Sequence, residues 1–239
     1  MRRLVVTQNI TVDGVIEATD DWFARAGHDP DMDRALAAQR DASDGFLVGR
    51  KTFEGMRDFW APRTDDTTGV AEHLNRVAKY VVSSTLQDPG WANTTVLSGP
   101  LVEEIGRITA LDGSDIVCTG SIDLCHALIG ADLVDEYRLF VHPFARGHGR
   151  RLFDGTPPRH LVLREFRAFP SATVLTRYDT QRITERGARG RPARPVGGSD
   201  VVAGAREVAD LLTFPESPRS SAINGSAIRA DGGVLPTII

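Results

Sequence analysis

The chain reads as an α/β protein: a mixed, mostly parallel sheet flanked by helices, antiparallel at one edge, with a C-terminal helix–strand extension. Three observations predict this. Short apolar runs alternate with helix-like segments through most of the 239 residues, which is the rhythm of βα units. Two strand-like runs in succession, 160–167 (HLVLREFR) and 172–178 (ATVLTRY), then close that rhythm. Strands joined by so short a turn pair antiparallel. Turns rich in Gly and hydroxyl residues follow three of the apolar runs, where open α/β sheets gather ligands.

The elements follow in order. Leu4-Val5-Val6 is the first strand, and Asp13-Gly14 is a turn with Val15-Ile16 after it. Residues 31–40 (DMDRALAAQR) form a helix whose first turn carries acids, as the helix dipole favours. Phe46-Leu47-Val48 is the second strand, followed by Gly49-Arg50-Lys51-Thr52 and a helix over 52–59. A helical turn at 71–75 precedes the strand Tyr80-Val81-Val82, which ends in Ser83-Ser84-Thr85. A short strand at 94–97 and a helix at 101–108 come next. The strand 115–118, ending in Cys118, leads through Thr119-Gly120-Ser121 into a helix reaching Ile129. The strand 134–141 is bounded by His142 and Pro143, and His142 reads as a strand-end residue.

Composition bounds the function. With 41% hydrophobic and 25% charged residues, the chain can build one full core plus an appendage, or two small domains. A net charge of −4 argues against a general nucleic-acid binder. No apolar run approaches the ~20 residues of a membrane helix, and the N-terminal apolar run is too short for a signal peptide core. A cytoplasmic protein without membrane or nucleic-acid partners is expected. Of 28 basic residues only Lys51 and Lys79 are Lys, so a single Arg carries little weight. Cys118 and Cys125, with no second pair, make neither a disulfide framework nor a zinc site. Two buried thiols and no metal are expected.

Residues 186–199 (RGARGRPARPVGGS) hold nothing that could pack a core and read as linker. The expected organisation is a main domain over 1–182, a Gly/Pro/Arg-rich linker over 183–200, and a fragment over 201–239. One helix (201–214) and one strand (222–229) cannot bury a core alone, so the fragment is expected to dock on the main domain or on a second copy, or to stay loose.

The chemistry concentrates in the GRKT segment. A strand ends in Gly49, which lets a backbone approach closely, and a helix N-terminus follows, which favours an anion. Arg50 adds a planar fork of donors, Lys51 a compact charge, and Thr52 a hydroxyl. A nucleotide phosphate suits such a set; an ordinary solvated helix start is the alternative. Likewise Ser83-Ser84-Thr85 is either a strand-ending turn or part of a site. No GxGxxG follows the first strand, so this is not the dinucleotide fold that carries that motif.

Taken together, the GRKT, SST and TGS turns, QNITVDGVIE at 8–17 and LVDEYRLFVHPFARGHGRRLF at 133–153 resemble the dihydrofolate reductase-like superfamily. Within it the likeness is to bacterial proteins similar to the reductase domain of the riboflavin-pathway deaminase/reductase. It covers about residues 1–180. The resemblance implies an NADPH site. Val48, Gly49, Arg50, Lys51 and Thr52 match the segment that takes the pyrophosphate and the adenosine-side phosphate. Ser83, Ser84 and Thr85 match the loop for the 2′-phosphate. Cys118, Thr119, Gly120, Ser121 and Leu124 match the turn under the pyrophosphate and nicotinamide. Gln8, Asn9 and Ile16 match positions lining the nicotinamide. Counting back from Gly49, Asp33 stands nearest the place of the family's early-helix carboxylate and is the candidate proton donor, with Asp31, Asp20 and Asp21 as competitors. Trp22 and Trp60 fall near the expected substrate cleft; half-buried packing is their alternative. The HxE and PCxxC signature of the deaminase half is absent.

Residues 206–237 resemble the C-terminal end of short-chain dehydrogenase/reductases, without that family's Gly-rich turn or Tyr-xxx-Lys pair. There the corresponding strand makes subunit contacts, so a homodimer or higher homo-oligomer is expected. The expected function is an NADPH-dependent reductase acting on a C=N or C=O of a small, pterin- or pyrimidine-like molecule. The alternative is a catalytically silent NADP-binding or regulatory protein whose tail serves assembly.

Overall fold

The computed structural model describes residues 1–19, 22–23 and 29–181. The linker and fragment expected from 183 onward, and Asp20 and Asp21, lie outside the described residues. Eight strands form one sheet: β1 (Leu4–Thr11), β2 (Ser43–Gly49), β3 (Ala78–Val82), β4 (Thr94–Leu97), β5 (Asp115–Cys118), β6 (Glu136–His142), β7 (Leu161–Ala168) and β8 (Val174–Thr180). Their order is β4-β3-β2-β5-β1-β6-β8-β7. The first six are mutually parallel, and β8 runs antiparallel to both β6 and β7. This is the mixed sheet with an antiparallel edge that the late hairpin predicted.

Helices cover both faces. Leu47, Val6, Cys118 and Tyr137 point to one face, where α4 (Leu101–Thr109) and α5 (Ile122–Gly130) pack through Ile105, Ile108, Leu128 and Ile129. Phe46 and Val48 point to the other, against Phe53 of α2 (Arg50–Trp60) and Leu74 of α3 (Val70–Arg76). On that same face Phe140 joins Phe169 and Leu175 in a cluster against which Met32, Ala35 and Leu36 of α1 (Pro30–Asp41) pack. Period-2 alternation along β2 and β6 thus divides apolar side chains between two layers.

Caps explain where α1 and α3 sit. Asp29 accepts the N–H groups of Asp31 and Met32 and also that of Ser171, so it caps α1 and ties it to the β7–β8 turn. Burial alone would raise its pKa, but these bonds hold it down at about 2. Lys79 is fully buried. Its ammonium donates to the carbonyls of Leu74 and Val77 at the end of α3, and burial lowers its pKa to about 8.

The first strand is longer than expected: it runs through the polar Thr7, Gln8 and Asn9 to Thr11. A polar run can occupy a central strand when its side chains find partners, and here Gln39 of α1 partners Thr7, Gly120 after β5 partners Gln8, and His142 at the end of β6 partners Asn9. Val15 makes only an isolated bridge to Arg151. Among the described residues no helix is long and apolar enough to cross a membrane, and no group of three or more His, Cys, Asp or Glu is placed to hold a metal.

Candidate functional site

The sheet's strand order reverses between β2 and β5, and such a switch point leaves a crevice at the strands' carboxyl ends. The turns after β2 and β5 meet there. Gly49 donates its N–H to the Ser121 hydroxyl at 2.9 Å. Gly120 has φ +60°, and a Cβ there would stand 3.1 Å from Thr52 Cγ2; a left-handed, closely approached position is one that glycine fills without strain. Gly49 starts α2 with no side-chain cap, so its first N–H groups remain open to an anion. Arg50 lies 3.2 Å from both oxygens of Glu54, and Lys51 is exposed.

The third turn stands next to these, because Gly49 pairs with Val82 in the β2–β3 register. Ser83 Oγ accepts the N–H groups of Thr85 and Leu86. It shapes the turn, while Ser84 and Thr85 are exposed.

Gln8 clamps the β5 turn from below: its Nε2 donates to the Gly120 carbonyl at 3.1 Å, and its Oε1 accepts the Gly120 N–H at 3.3 Å. Cys125 Sγ lies 3.2 Å from Gln8 Nε2 and 3.9 Å from Cys118 Sγ; both cysteines are free and buried, as expected. Above the crevice, the loop after β1 is pinned to residues 144–152. Asp13 accepts the Thr11 hydroxyl and the N–H groups of Arg146 and Gly147, which hold its carboxyl well below the usual range.

Beside the turns opens a cavity of about 270 Å³ on the α1/α2/α3 face. Thr7, Asn9, Phe46, Val117 and Phe140 floor it; Leu36 and Gln39 of α1 stand on one side, and Met56 and Trp60 of α2 on the other. Thr119 belongs to the β5 turn and also lines the cavity, so turn and cavity are continuous. Its titratable lining residues are Arg40 and His73. Burial, then the nearby Arg40 and Arg76 charges, lowers the His73 pKa.

The site residues expected from sequence fall into three groups. Gly49, Arg50, Lys51, Thr52, Ser83, Ser84, Thr85, Thr119, Gly120 and Ser121 lie on the three adjoining turns, and Gln8, Asn9 and Trp60 line the cavity beside them. Val48, Cys118, Leu124 and Ile16 are buried in the two large cores, so they offer backbone or support rather than polar side chains. Trp22 and Asp33 stand apart. Trp22 is buried, donates to the Glu17 carbonyl and packs edge-on against His142; it does not line the cavity. Asp33 is exposed on the first turn of α1 and does not line the cavity either. Asp31 binds Arg34 on the same turn. Sequence reasoning missed the Thr7–Gln39 pair, 3.0 Å apart, and the placement of His142 2.9 Å behind Asn9. Their positions in the chain are too far apart for any spacing rule to join them.

Comparison with known proteins agrees with this fold. The family model described as the RibD C-terminal domain matches residues 2–175. YyaP of Bacillus subtilis (strain 168), described as uncharacterized, is 31% identical over 187 residues, spanning 74% of this chain and 94% of that protein. A Shewanella sp. PV-4 protein, provisionally named for riboflavin biosynthesis, superposes with a TM-score of 0.62 at 19% identity, over 75% of this chain and 99% of that one. A pyrimidine reductase-like protein from Corynebacterium diphtheriae gives 0.51 at 14% identity, over 76% and 92%. At these identities the two structures speak for the fold alone.

Proposed function

Because the chain belongs to the RibD C-terminal domain family, with its dihydrofolate reductase-like fold, we propose that it is an NADPH-dependent reductase of a small pyrimidine- or pterin-like molecule. The observation that carries this reading is the continuity of the phosphate-suited turns with an aromatic-walled cavity through Thr119. The substrate class rests on membership of that family.

The residues present fit the cofactor. The uncapped α2 N-terminus with Arg50, Lys51 and Thr52 suits the diphosphate, and Gly120 leaves room for close approach. Ser84 and Thr85 would donate hydroxyls to a 2′-phosphate while Ser83 holds the turn. When bound, NADPH supplies the hydride from its C4. Around the reacting centre the chain's part is to orient the substrate between Leu36 and Trp60, over Phe46, Val117 and Phe140 of the floor. The described lining holds no carboxylate, so the proton is assigned to water admitted at the mouth rather than to Asp33.

Fluorescence titration tests the reading. NADPH should bind more tightly than NADH, and Arg50→Ala or Ser84→Ala should weaken NADPH about tenfold, the worth of one hydrogen bond to a charged group. No NADPH binding by the wild type sinks the proposal. NADPH binding without turnover on pterins, ribityl-pyrimidines and quinoid compounds would favour the silent binding protein instead.

A further inference from the structure

We propose that Asn9 orients the substrate in the cavity by presenting side-chain N–H donors to a carbonyl or ring-nitrogen acceptor, and that His142 and Thr173 behind it are positioning residues that fix its amide that way round. This rests on the reductase reading of the site and names the group by which that site selects its substrate.

Asn9 stands out along β1. Its neighbours Gln8 and Ile10 are each 5% exposed, whereas Asn9 is exposed and lines the cavity. An asparagine amide has one acceptor oxygen and two N–H donors, and its environment decides which end faces a ligand. Here the oxygen faces inward, with Oδ1 2.9 Å from His142 Nε2. His142 is 2% exposed. The Trp22 ring packs edge-on against it at 5.5 Å, and Thr173 Oγ1, fully buried, lies 3.5 Å from its Nδ1.

Burial lowers the His142 pKa, so the ring is neutral at pH 7. A neutral imidazole donates through one nitrogen and accepts through the other. Nε2 faces an amide oxygen, which can only accept. The proton therefore sits on Nε2, and Nδ1 is left to accept from the Thr173 hydroxyl. The chain of bonds runs one way: Thr173 O–H to His142 Nδ1, His142 Nε2–H to Asn9 Oδ1. With the Asn9 oxygen occupied, its NH2 group is what the cavity meets.

Several other polar groups of the lining are already engaged. Thr7 and Gln39 bond each other, Ser43 donates to the Arg40 carbonyl, and Arg40 donates to the Thr68 carbonyl. A substrate ring lying on Phe46, Val117 and Phe140 is thus selected at this end by an acceptor lone pair. A ring presenting N–H there would set donor against donor.

Two measurements test this, and the first needs no ligand. Nitrogen NMR of histidine-labelled protein should show His142 at pH 7 as the neutral tautomer with its proton on Nε2, and Asn9→Asp should keep that tautomer because a carboxylate also accepts. A proton on Nδ1 in the wild type overturns the proposal, since Asn9 would then turn its oxygen outward. The second uses lumazine, an uncharged bicyclic ring with carbonyl acceptors, titrated against the NADP-loaded protein by tryptophan fluorescence. Asn9→Ala and Asn9→Asp should each weaken lumazine about tenfold, the worth of one hydrogen bond. His142→Leu should also weaken it, and His142→Gln, which keeps a donor, should restore it; thermal melts confirm that each variant is folded. Equal lumazine affinity in wild type and Asn9→Ala, or none in the wild type, overturns the proposal. Failure of NADPH to bind strikes the reductase reading alone, because the tautomer measurement does not depend on cofactor.

Discussion

Gly120 sits where an added methyl meets both a left-handed backbone and Thr52. Gly120→Ala should cost about 1–2 kcal/mol from the backbone alone, read as a lower urea midpoint with an unchanged slope. NADPH affinity should fall with it, and an unaltered midpoint would show that the turn carries no strain. The glycine and the GRKT donors were legible because their chemistry lies within a few residues of chain. Gln8 was legible only as a residue near the site. Its engagement with Gly120 spans 112 residues of sequence, and no local pattern encodes which loop an amide will clamp. His142 was read as a strand-end residue, which it is. That it backs Asn9 depends on the β1–β6 register, in which Thr11 pairs with His142.

At the scale of elements, alternation and turn signals located every strand of the sheet, and ends drifted only by a few residues. The exception was β1, whose polar second half lacks an apolar period. A cluster of charges on β6 and β8 was equally hidden. Glu136, 1% exposed, lies 3.0 Å from Arg3, 2.7 Å from Arg138 and 2.7 Å from Arg177. Burial would raise its pKa, but the hydrogen bonds from Arg138 and Arg177 outweigh it and bring the carboxyl down to about 2. Glu136→Gln leaves a buried Arg138 less compensated, and removing one partner of a buried pair costs about 3–5 kcal/mol. Chemical denaturation should report a loss of that order; a change below about 1 kcal/mol would mean that the cluster is solvated and behaves as a surface pair.

For the molecule as a whole, these shifts set how stability follows pH. His142 and His73 have folded pKa values below the ordinary 6.5. The unfolded chain therefore binds more protons below that pH, and stability falls as pH drops through it. Glu136, Asp29 and Asp66, each lowered to about 2, add a second loss as pH falls from the ordinary carboxyl range toward 2. Denaturation midpoints should form a plateau from about pH 6.5 up to about pH 8, where buried Lys79 loses its proton in the folded state, with a decline below the plateau that His142→Gln makes shallower; a midpoint rising toward pH 5 would contradict the assignment. The proposed homo-oligomer has its own check: light scattering of the full chain should give at least twice the mass of one chain, and deleting 186–239 should reduce it if the tail serves assembly. The sequence by itself determined the fold class, the strand and helix succession and the three phosphate-suited turns, because periodicity, glycine and hydroxyl turns act over a few residues. Only the tertiary structure decided that Thr119 joins turn to cavity, that Trp22 backs His142 rather than lining the cavity, and that Asp33 stays at the surface. Those outcomes come from strand order and register, which bring together residues more than a hundred positions apart.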